Sequence, residues 1–93
     1  SIEESNVNFE LNQNIPNPFN NNSVINYTLN EASNVSFKIV DITGKIVMDL
    51  NEGTLSAGAH MINLNADVFA KGVYHYTLST EKGSLTKTMI VTE

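Results

Sequence analysis

Two histidines and two aspartates are the side chains of this 93-residue chain best placed to support catalysis or hold a metal ion. His60 and His75 lie on separate predicted strands, and neither has the His-x-x-x-His or Glu-x-x-His spacing of a metal site. Asp41 and Asp67 each stand beside a predicted turn, where a carboxylate accepts hydrogen bonds from backbone N–H groups. We therefore predict a domain that is not an enzyme, with no catalytic residue, no metal and no cofactor.

A run of polar side chains in residues 17–23 offers a second possible chemistry, because Ca²⁺ takes oxygen ligands. The run is rich in asparagine and ends in a serine, but it contains no aspartate or glutamate to supply charge. Asparagine also tolerates turn backbone and forms side-chain turn bonds. A plain turn is the favoured interpretation, and a calcium site is the alternative.

Three tyrosines could form a platform that stacks on a sugar. Tyr27 shares strand parity with Leu29, and Tyr74 and Tyr76 share it with Leu78. Because alternate residues of a strand point to the same face, the tyrosines are predicted to lie in the core with their hydroxyls at its rim. A sugar platform is the alternative interpretation.

The charge and composition limit the possible partners. Five basic residues face ten acidic ones, for a net charge of −5 at pH 7, which disfavours nucleic-acid partners and anionic lipid. There is no cysteine, so no disulfide supports the fold. No apolar run approaches the ~20 residues that cross a bilayer, so we expect no membrane insertion. With 41% hydrophobic and 16% charged residues, the chain should fold as one domain.

Apolar residues at every second position predict a series of short strands. The alternating apolar residues are Ile25, Tyr27 and Leu29; Val35, Phe37 and Ile39; Tyr74, Tyr76 and Leu78; and Met89 and Val91, and a further strand runs through His60, Ile62 and Leu64. Turn signals separate these strands about every 8–12 residues, as in sandwiches. We predict an all-β, immunoglobulin-like sandwich of about seven strands in two antiparallel sheets. A closed barrel is the lesser alternative.

The turns between these strands depend on a few residues. Asp41 and Gly44 stand at the first and fourth positions of a predicted type I turn in a tight hairpin. Gly58 closes the loop before the next strand. Residues 67–71 could make one helical turn, with Gly72 as its C-terminal cap.

The N-terminal part divides into a polar stretch and a rigid one. Residues 1–8 are polar and suit a linker, so the domain is placed at residues 9–93. Pro16 and Pro18 fix their own backbone and force the preceding Ile15 and Asn17 into extended conformations, which excludes a helix. Phe19 is the apolar residue expected to anchor this stretch to the core.

Five blocks of the sequence, in this order, carry a resemblance to a known family. They are LNQNIPNPFN at residues 11–20, VSFKIVDITGKIV at 35–47, LSAG at 55–58, GVYHY at 72–76 and KTMIV at 87–91. Together they resemble the C-terminal sorting domain of cargo proteins of the bacterial type IX secretion system. The resemblance covers residues 11–93.

The resemblance implies a sorting tag at the C-terminus of a larger protein, fused to an N-terminal cargo. The implied partners are the type IX translocon, which recognises the domain, and a surface sortase, which removes it. The implied location is secreted or at the cell surface, after passage through the periplasm and outer membrane of a Gram-negative bacterium.

We expect a monomer that presents its last strand to the translocon through Lys87, Met89, Ile90 and Val91. The motif residues expected to be structural are Pro16, Asn17, Pro18, Phe19, Asp41, Gly44, Gly58, Gly72 and Tyr74. Two alternatives stay open: a carbohydrate-binding or spacer module of a larger secreted enzyme, and a structural domain similar to that of the flagellar hook cap.

Overall fold

The computed structural model describes residues 9–92. The predicted linker at residues 1–8, and Glu93, lie outside the described residues. Seven strands follow in order: β1 Phe9–Leu11, β2 Asn22–Leu29, β3 Ser33–Asp41, β4 Ile46–Leu55, β5 Gly58–Asn65, β6 Gly72–Thr80 and β7 Gly83–Val91. They form a three-stranded sheet of order β1-β2-β5 and a four-stranded sheet of order β4-β3-β6-β7, all pairs antiparallel.

The core lies between the two sheets and confirms the predicted sandwich. The alternating apolar residues of the predicted strands are all buried, and the ring of His60 stacks on Tyr27 with the centroids 5.5 Å apart. Phe9 and Leu11 of β1 complete the core beside Phe19. Within residues 9–92, no helix is long and apolar enough to cross a membrane.

The hairpin between β3 and β4 has the predicted tight turn. The Gly44 N–H donates to the Asp41 carbonyl over 3.0 Å, and Gly44 takes a φ of +92° that favours glycine. The Asp41 carboxylate accepts from the Thr43 hydroxyl and from the N–H groups of Thr43 and Lys45. These bonds, the hydroxyl of Thr43 first, hold the pKa of Asp41 below its usual value of 3.8. The aspartate therefore has the turn role expected of it.

The helical turn predicted over residues 67–71 begins one residue earlier and is shorter, and its predicted cap is wrong. A single 3₁₀ turn spans Ala66–Val68, started by the Asn65 side chain, which accepts from the Asp67 N–H over 2.9 Å. The turn ends at Phe69, whose extended backbone places its ring 5.2 Å from that of Tyr74. Gly72 is not a cap: it opens β6 with a φ of +149°.

Candidate functional site

Residues 12–19 form most of the connection between β1 and β2 and contact the outer edge of β7; we call them the strap. At the strap's far end, the Phe19 N–H donates to the Ile90 carbonyl over 3.0 Å, and the Phe19 carbonyl accepts from the Thr92 N–H over 2.8 Å. Phe19 forms a parallel bridge with Val91, and its ring is only 2% exposed. The Phe19 ring therefore lies in the core, where an anchor of this segment is expected.

Two side chains of the strap make further bonds to the same edge. The Asn17 amide oxygen accepts from the Ile90 N–H over 2.9 Å, and the Gln13 amide nitrogen donates to the Thr88 carbonyl over 2.6 Å. The strap therefore covers the edge of β7 at residues 88–92 through one parallel bridge and these side-chain bonds, and its prolines have no N–H to donate.

A buried polar network fixes the shape of the strap. The Asn14 amide donates to the Pro16 carbonyl over 3.1 Å and to the Ser23 hydroxyl over 3.0 Å, and that hydroxyl donates to the same carbonyl over 2.9 Å. Asn14 and Ser23 are each 1% exposed. Because these groups bond to each other and to the backbone, the turn interpretation of this region accounts for them.

The Tyr76 hydroxyl pins the start of the strap to the core. It donates to the Asn12 carbonyl over 2.8 Å and accepts from the Asn14 N–H over 2.9 Å. Burial raises the pKa of Tyr76 to about 12, against the opposing effect of the Asn14 N–H. Tyr27 and Tyr74 are buried as well, so the core prediction is confirmed and the sugar platform is wrong.

The other half of β7, residues 84–87, lies beyond the strap and borders a groove. The groove has a volume of about 280 Å³ and lies between residues 9–12 and residues 85–87. Apolar side chains of Phe9, Leu11 and Leu85 lie against its floor, and Glu10 and Lys87 stand on its opposite sides. Both flanking strands, β1 and β7, are edge strands of their sheets.

An aliphatic stripe crosses the outer face of the four-stranded sheet. Val40 pairs with Ile46 on β4 and with His75 on β6, and Val73 pairs with Ile90 on β7. Val40 and Val73 are therefore diagonal neighbours on one face. Ile46 is 50% exposed, and Val73 and Ile90 are each 38% exposed. Ile90 therefore has apolar neighbours on the exposed face of the sheet.

The four residues expected to contact the translocon do not lie on one surface. Lys87 is half-buried and Ile90 is exposed, whereas Met89 and Val91 are buried in the core. In the folded domain, Met89 and Val91 can position β7 but cannot touch a partner. His75, between the buried Tyr74 and Tyr76, has its ring bonded to the Thr88 hydroxyl over 3.0 Å.

The comparisons with known proteins bear on this strap-and-edge arrangement. The family model of the secretion system C-terminal sorting domain matches residues 13–92. The chain belongs to this family. A sorting domain of this kind is the signal by which type IX secretion directs a cargo protein through the outer membrane. The match begins at Gln13, so it takes in the strap contacts from Gln13 to Phe19 together with β7.

Solved structures share the fold of the sorting domain. PorZ, a surface component of the type IX secretion system of Porphyromonas gingivalis, has a TM-score of 0.59 and 21% identity over 91% of this chain and 11% of PorZ. An immunoglobulin-like β-sandwich protein of the DUF3244 family from Bacteroides vulgatus has a TM-score of 0.59 and 13% identity, covering 87% of this chain and 93% of its own. The human B7-H4 IgV-like domain has a TM-score of 0.53 and 10% identity, covering 90% and 96%. These likenesses establish the immunoglobulin-like fold. No curated protein matches the sequence.

Sequence reasoning missed the polar residues that dock the strap. The sequence pattern predicts only turn or loop positions for Gln13, Asn14 and Ser23. Their hydrogen-bond partners lie on other elements. The available signal was Asn14, a polar residue two positions before Pro16, since that spacing places its side chain beside a rigid backbone. That spacing does not name β7 as the partner.

Proposed function

We propose that this sorting domain is a non-catalytic address tag, joined through residues 1–8 to an N-terminal cargo and read in its folded, monomeric state by the type IX translocon. The observation that carries the proposal is the family match over residues 13–92, which takes in all but the first of the seven strands. The −5 net charge supports a protein partner rather than nucleic acid or anionic lipid.

The proposed recognition surface is β7 with the turn surfaces beside it. Ile90 and Lys87 supply the contacts, since their side chains reach the surface, while Met89 and Val91 hold the strand in place. Around Ile90, the aliphatic stripe offers uncharged surface of the kind found at the centre of protein interfaces. The structural motif residues, from Pro16 to Tyr74, act by shaping the strap, the hairpin and the core.

After export, we propose that a surface sortase removes the domain, and that the cargo is either released or anchored at the cell surface. The proposal that the domain is non-catalytic is supported by the positions of its histidines. His60 lies on the three-stranded sheet and bonds to the Ser56 carbonyl. His75 lies on the four-stranded sheet and bonds to the Thr88 hydroxyl.

The test is to fuse residues 1–93 to a fluorescent reporter that carries a Sec signal, in hosts with and without type IX secretion. Export through the outer membrane only in the first host is the expected result. Deleting residues 87–93 should leave the reporter in the periplasm. Because that deletion also removes two core residues, Ile90→Asp is the sharper variant, and Met61→Asp on the other sheet, where Met61 is 61% exposed, is its matched control.

Ile90→Asp should lower export while Met61→Asp leaves it unchanged, with both domains melting as the parent does. Equal export of the reporter in the two hosts, or normal surface display of the truncated form, would contradict the proposal.

A further inference from the structure

The open half of β7, together with the groove beside it, has the features of a site for strand addition. We propose that an extended peptide segment of the secretion machinery pairs with β7 along residues 84–87, placing an aliphatic side chain in the groove and a carboxylate on Lys87. This inference rests on the proposed function and specifies how the partner would be held.

The backbone of β7 presents unpaired groups along this half. Both the N–H and the carbonyl of Ile90 bond outward to the strap, so the pair Val73 and Ile90 exchanges no bond across the sheet. Hydrogen-bonded and non-bonded pairs alternate in an antiparallel ladder, and the β6–β7 register is unbroken. Thr86, four residues before Ile90, therefore also points its N–H and carbonyl outward. Within residues 9–92, these two groups meet no backbone or side-chain partner.

The chain itself shows that this edge accepts a strand. The strap covers residues 88–92 with one parallel bridge, between Phe19 and Val91, and its first contact with this edge is the Gln13 amide, which donates to the Thr88 carbonyl. Residues 84–87 continue the same edge; β1 lies across the groove from them, and no described residue forms a hydrogen bond with the outward N–H and carbonyl of Thr86. An added segment of about four residues fits this length, since main-chain bonds supply affinity in strand addition and side-chain pockets supply specificity.

The groove selects the side chain of the added segment. Its volume of about 280 Å³ is bordered by the core residues Phe9 and Leu11 and by Leu85, which packs against the core. A strand on the β7 edge alternates its side chains between the outer face and this groove. An aliphatic side chain in the groove would remove apolar surface of both partners from water.

The charge of Lys87 favours a carboxylate on the added segment. The Lys87 side chain shares the parity of the buried Met89, is half-buried beside the groove, and has no ion-pair partner within residues 9–92. A half-buried ammonium group without a carboxylate gains more from an added opposite charge than a fully solvated one. The acidic Glu10 on the other side is exposed and stays hydrated. The complementary segment is therefore acidic next to its aliphatic residue.

The test removes one outward N–H from β7. Thr86→Pro deletes it without removing a backbone bond to β6, although it also removes the hydroxyl contact with Thr77. Proline is tolerated on edge strands when its nitrogen faces solvent. The matched control is Asn63→Pro on β5: its partner Val24 exchanges both backbone bonds with Ile15, so the N–H of Asn63 also points outward. Thr86→Val is a second control, which removes the hydroxyl but keeps the N–H.

In the reporter assay, Thr86→Pro should lower the exported fraction about tenfold, and both controls should be exported like the parent. Unchanged export of Thr86→Pro would overturn strand addition and leave the sorting function standing. Failure of the parent itself to be exported would overturn both, so the two proposals are separable.

If thermal melting shows that Thr86→Pro does not fold, two charge variants of Lys87 test strand addition instead. Lys87→Glu should lower export about tenfold, while Lys87→Arg should preserve it. Equal export of the two would overturn the proposal. Sedimentation of the isolated chain tests another occupant: a dimer that Thr86→Pro abolishes would assign the edge to a second copy of this chain and overturn the proposal.

Discussion

The outer edge of β7 is covered over residues 88–92 and open over residues 84–87. On the covered half, the strap supplies main-chain bonds from Phe19, side-chain bonds from Asn17 and Gln13, and a ring that enters the core. On the open half, the backbone of Thr86 points outward beside a groove of about 280 Å³. One strand therefore carries a protected edge and an exposed edge within nine residues.

The difference shows how a small domain divides one strand between stability and recognition. Exposed edge strands invite unwanted pairing, and proteins protect them with prolines, charges or covering segments. Here a proline-containing strap covers the half nearest the aliphatic stripe. On the other half, the charge of Lys87 disfavours unwanted pairing. Each of the predictions below acts on one half and leaves the other as its internal reference.

The largest effect is expected from Phe19→Ala, which removes the strap's anchor. The ring is 2% exposed, and truncation of a buried phenylalanine costs about 3–5 kcal/mol. That is a large part of the roughly 5–14 kcal/mol expected for a domain of this length. Urea unfolding of the parent and the variant measures the loss.

The control for this variant lies in the same strap. Ile15→Ala should change the free energy of unfolding by less than about 0.5 kcal/mol, because Ile15 is 65% exposed. An unchanged unfolding midpoint for Phe19→Ala would show that the ring does not stabilise the core. The contrast between the covered and open halves of β7 would then fail.

Tyr76→Phe should have the second largest effect, since it releases the start of the strap. The variant leaves the Asn12 carbonyl and the Asn14 N–H without their partner in a buried site, which costs about 1–3 kcal/mol. Tyr74→Phe is the matched control: the Tyr74 hydroxyl makes one bond, to the Ala70 carbonyl, at a part-buried position. Equal losses in the two variants would show that the strap does not depend on Tyr76.

The same tyrosine gives this half of the comparison a pH dependence. Burial raises the pKa of Tyr76 from 10.0 to about 12, so the folded state favours the neutral phenol. Its contribution to stability is complete below pH 10 and is lost as the pH rises through the folded pKa. The parent should therefore lose more stability than Tyr76→Phe between pH 10 and about 12, as measured by thermal melting.

Much of the sandwich could be predicted, because strand parity is a local property. Alternation identified the inward residues of β2, β3, β6 and β7, and the Asp41 turn followed from two residues of the right type. β1 was not identified, since three residues are too few to show a period. The 3₁₀ turn was misplaced because the capping residue, Asn65, lay inside the preceding strand.

The site was predicted less well, because its contacts are long-range. Gln13 and Thr88 are 75 residues apart, and Tyr76 and Asn12 are 64 apart. A rigid extended segment is visible in the two prolines, but nothing in that pattern selects the edge it will cover. Parity did place Met89 inward, which already limits any direct contact of that residue with a partner.

The smallest effects come from single bonds at the edge itself. Asn17→Ala removes the acceptor of the Ile90 N–H, which is exposed, so the loss should be about 0.5–1.5 kcal/mol. Thr86→Val on the open half removes only an exposed hydroxyl contact with Thr77 and should change stability by less than about 0.5 kcal/mol.

Combining these changes with Phe19→Ala tests whether the two halves are independent. Once Phe19 is truncated, the strap is loosened, so Asn17→Ala should add less than it costs alone, with a coupling of about 0.5–1.5 kcal/mol. Thr86→Val shares no partner with the strap, and its effect should add within about 0.5 kcal/mol. Urea unfolding of the two double variants measures both couplings. If the losses of stability from Asn17→Ala and Phe19→Ala simply add, the two residues hold the strap on β7 independently. The contacts of the covered half would then be no more cooperative than those of the open half.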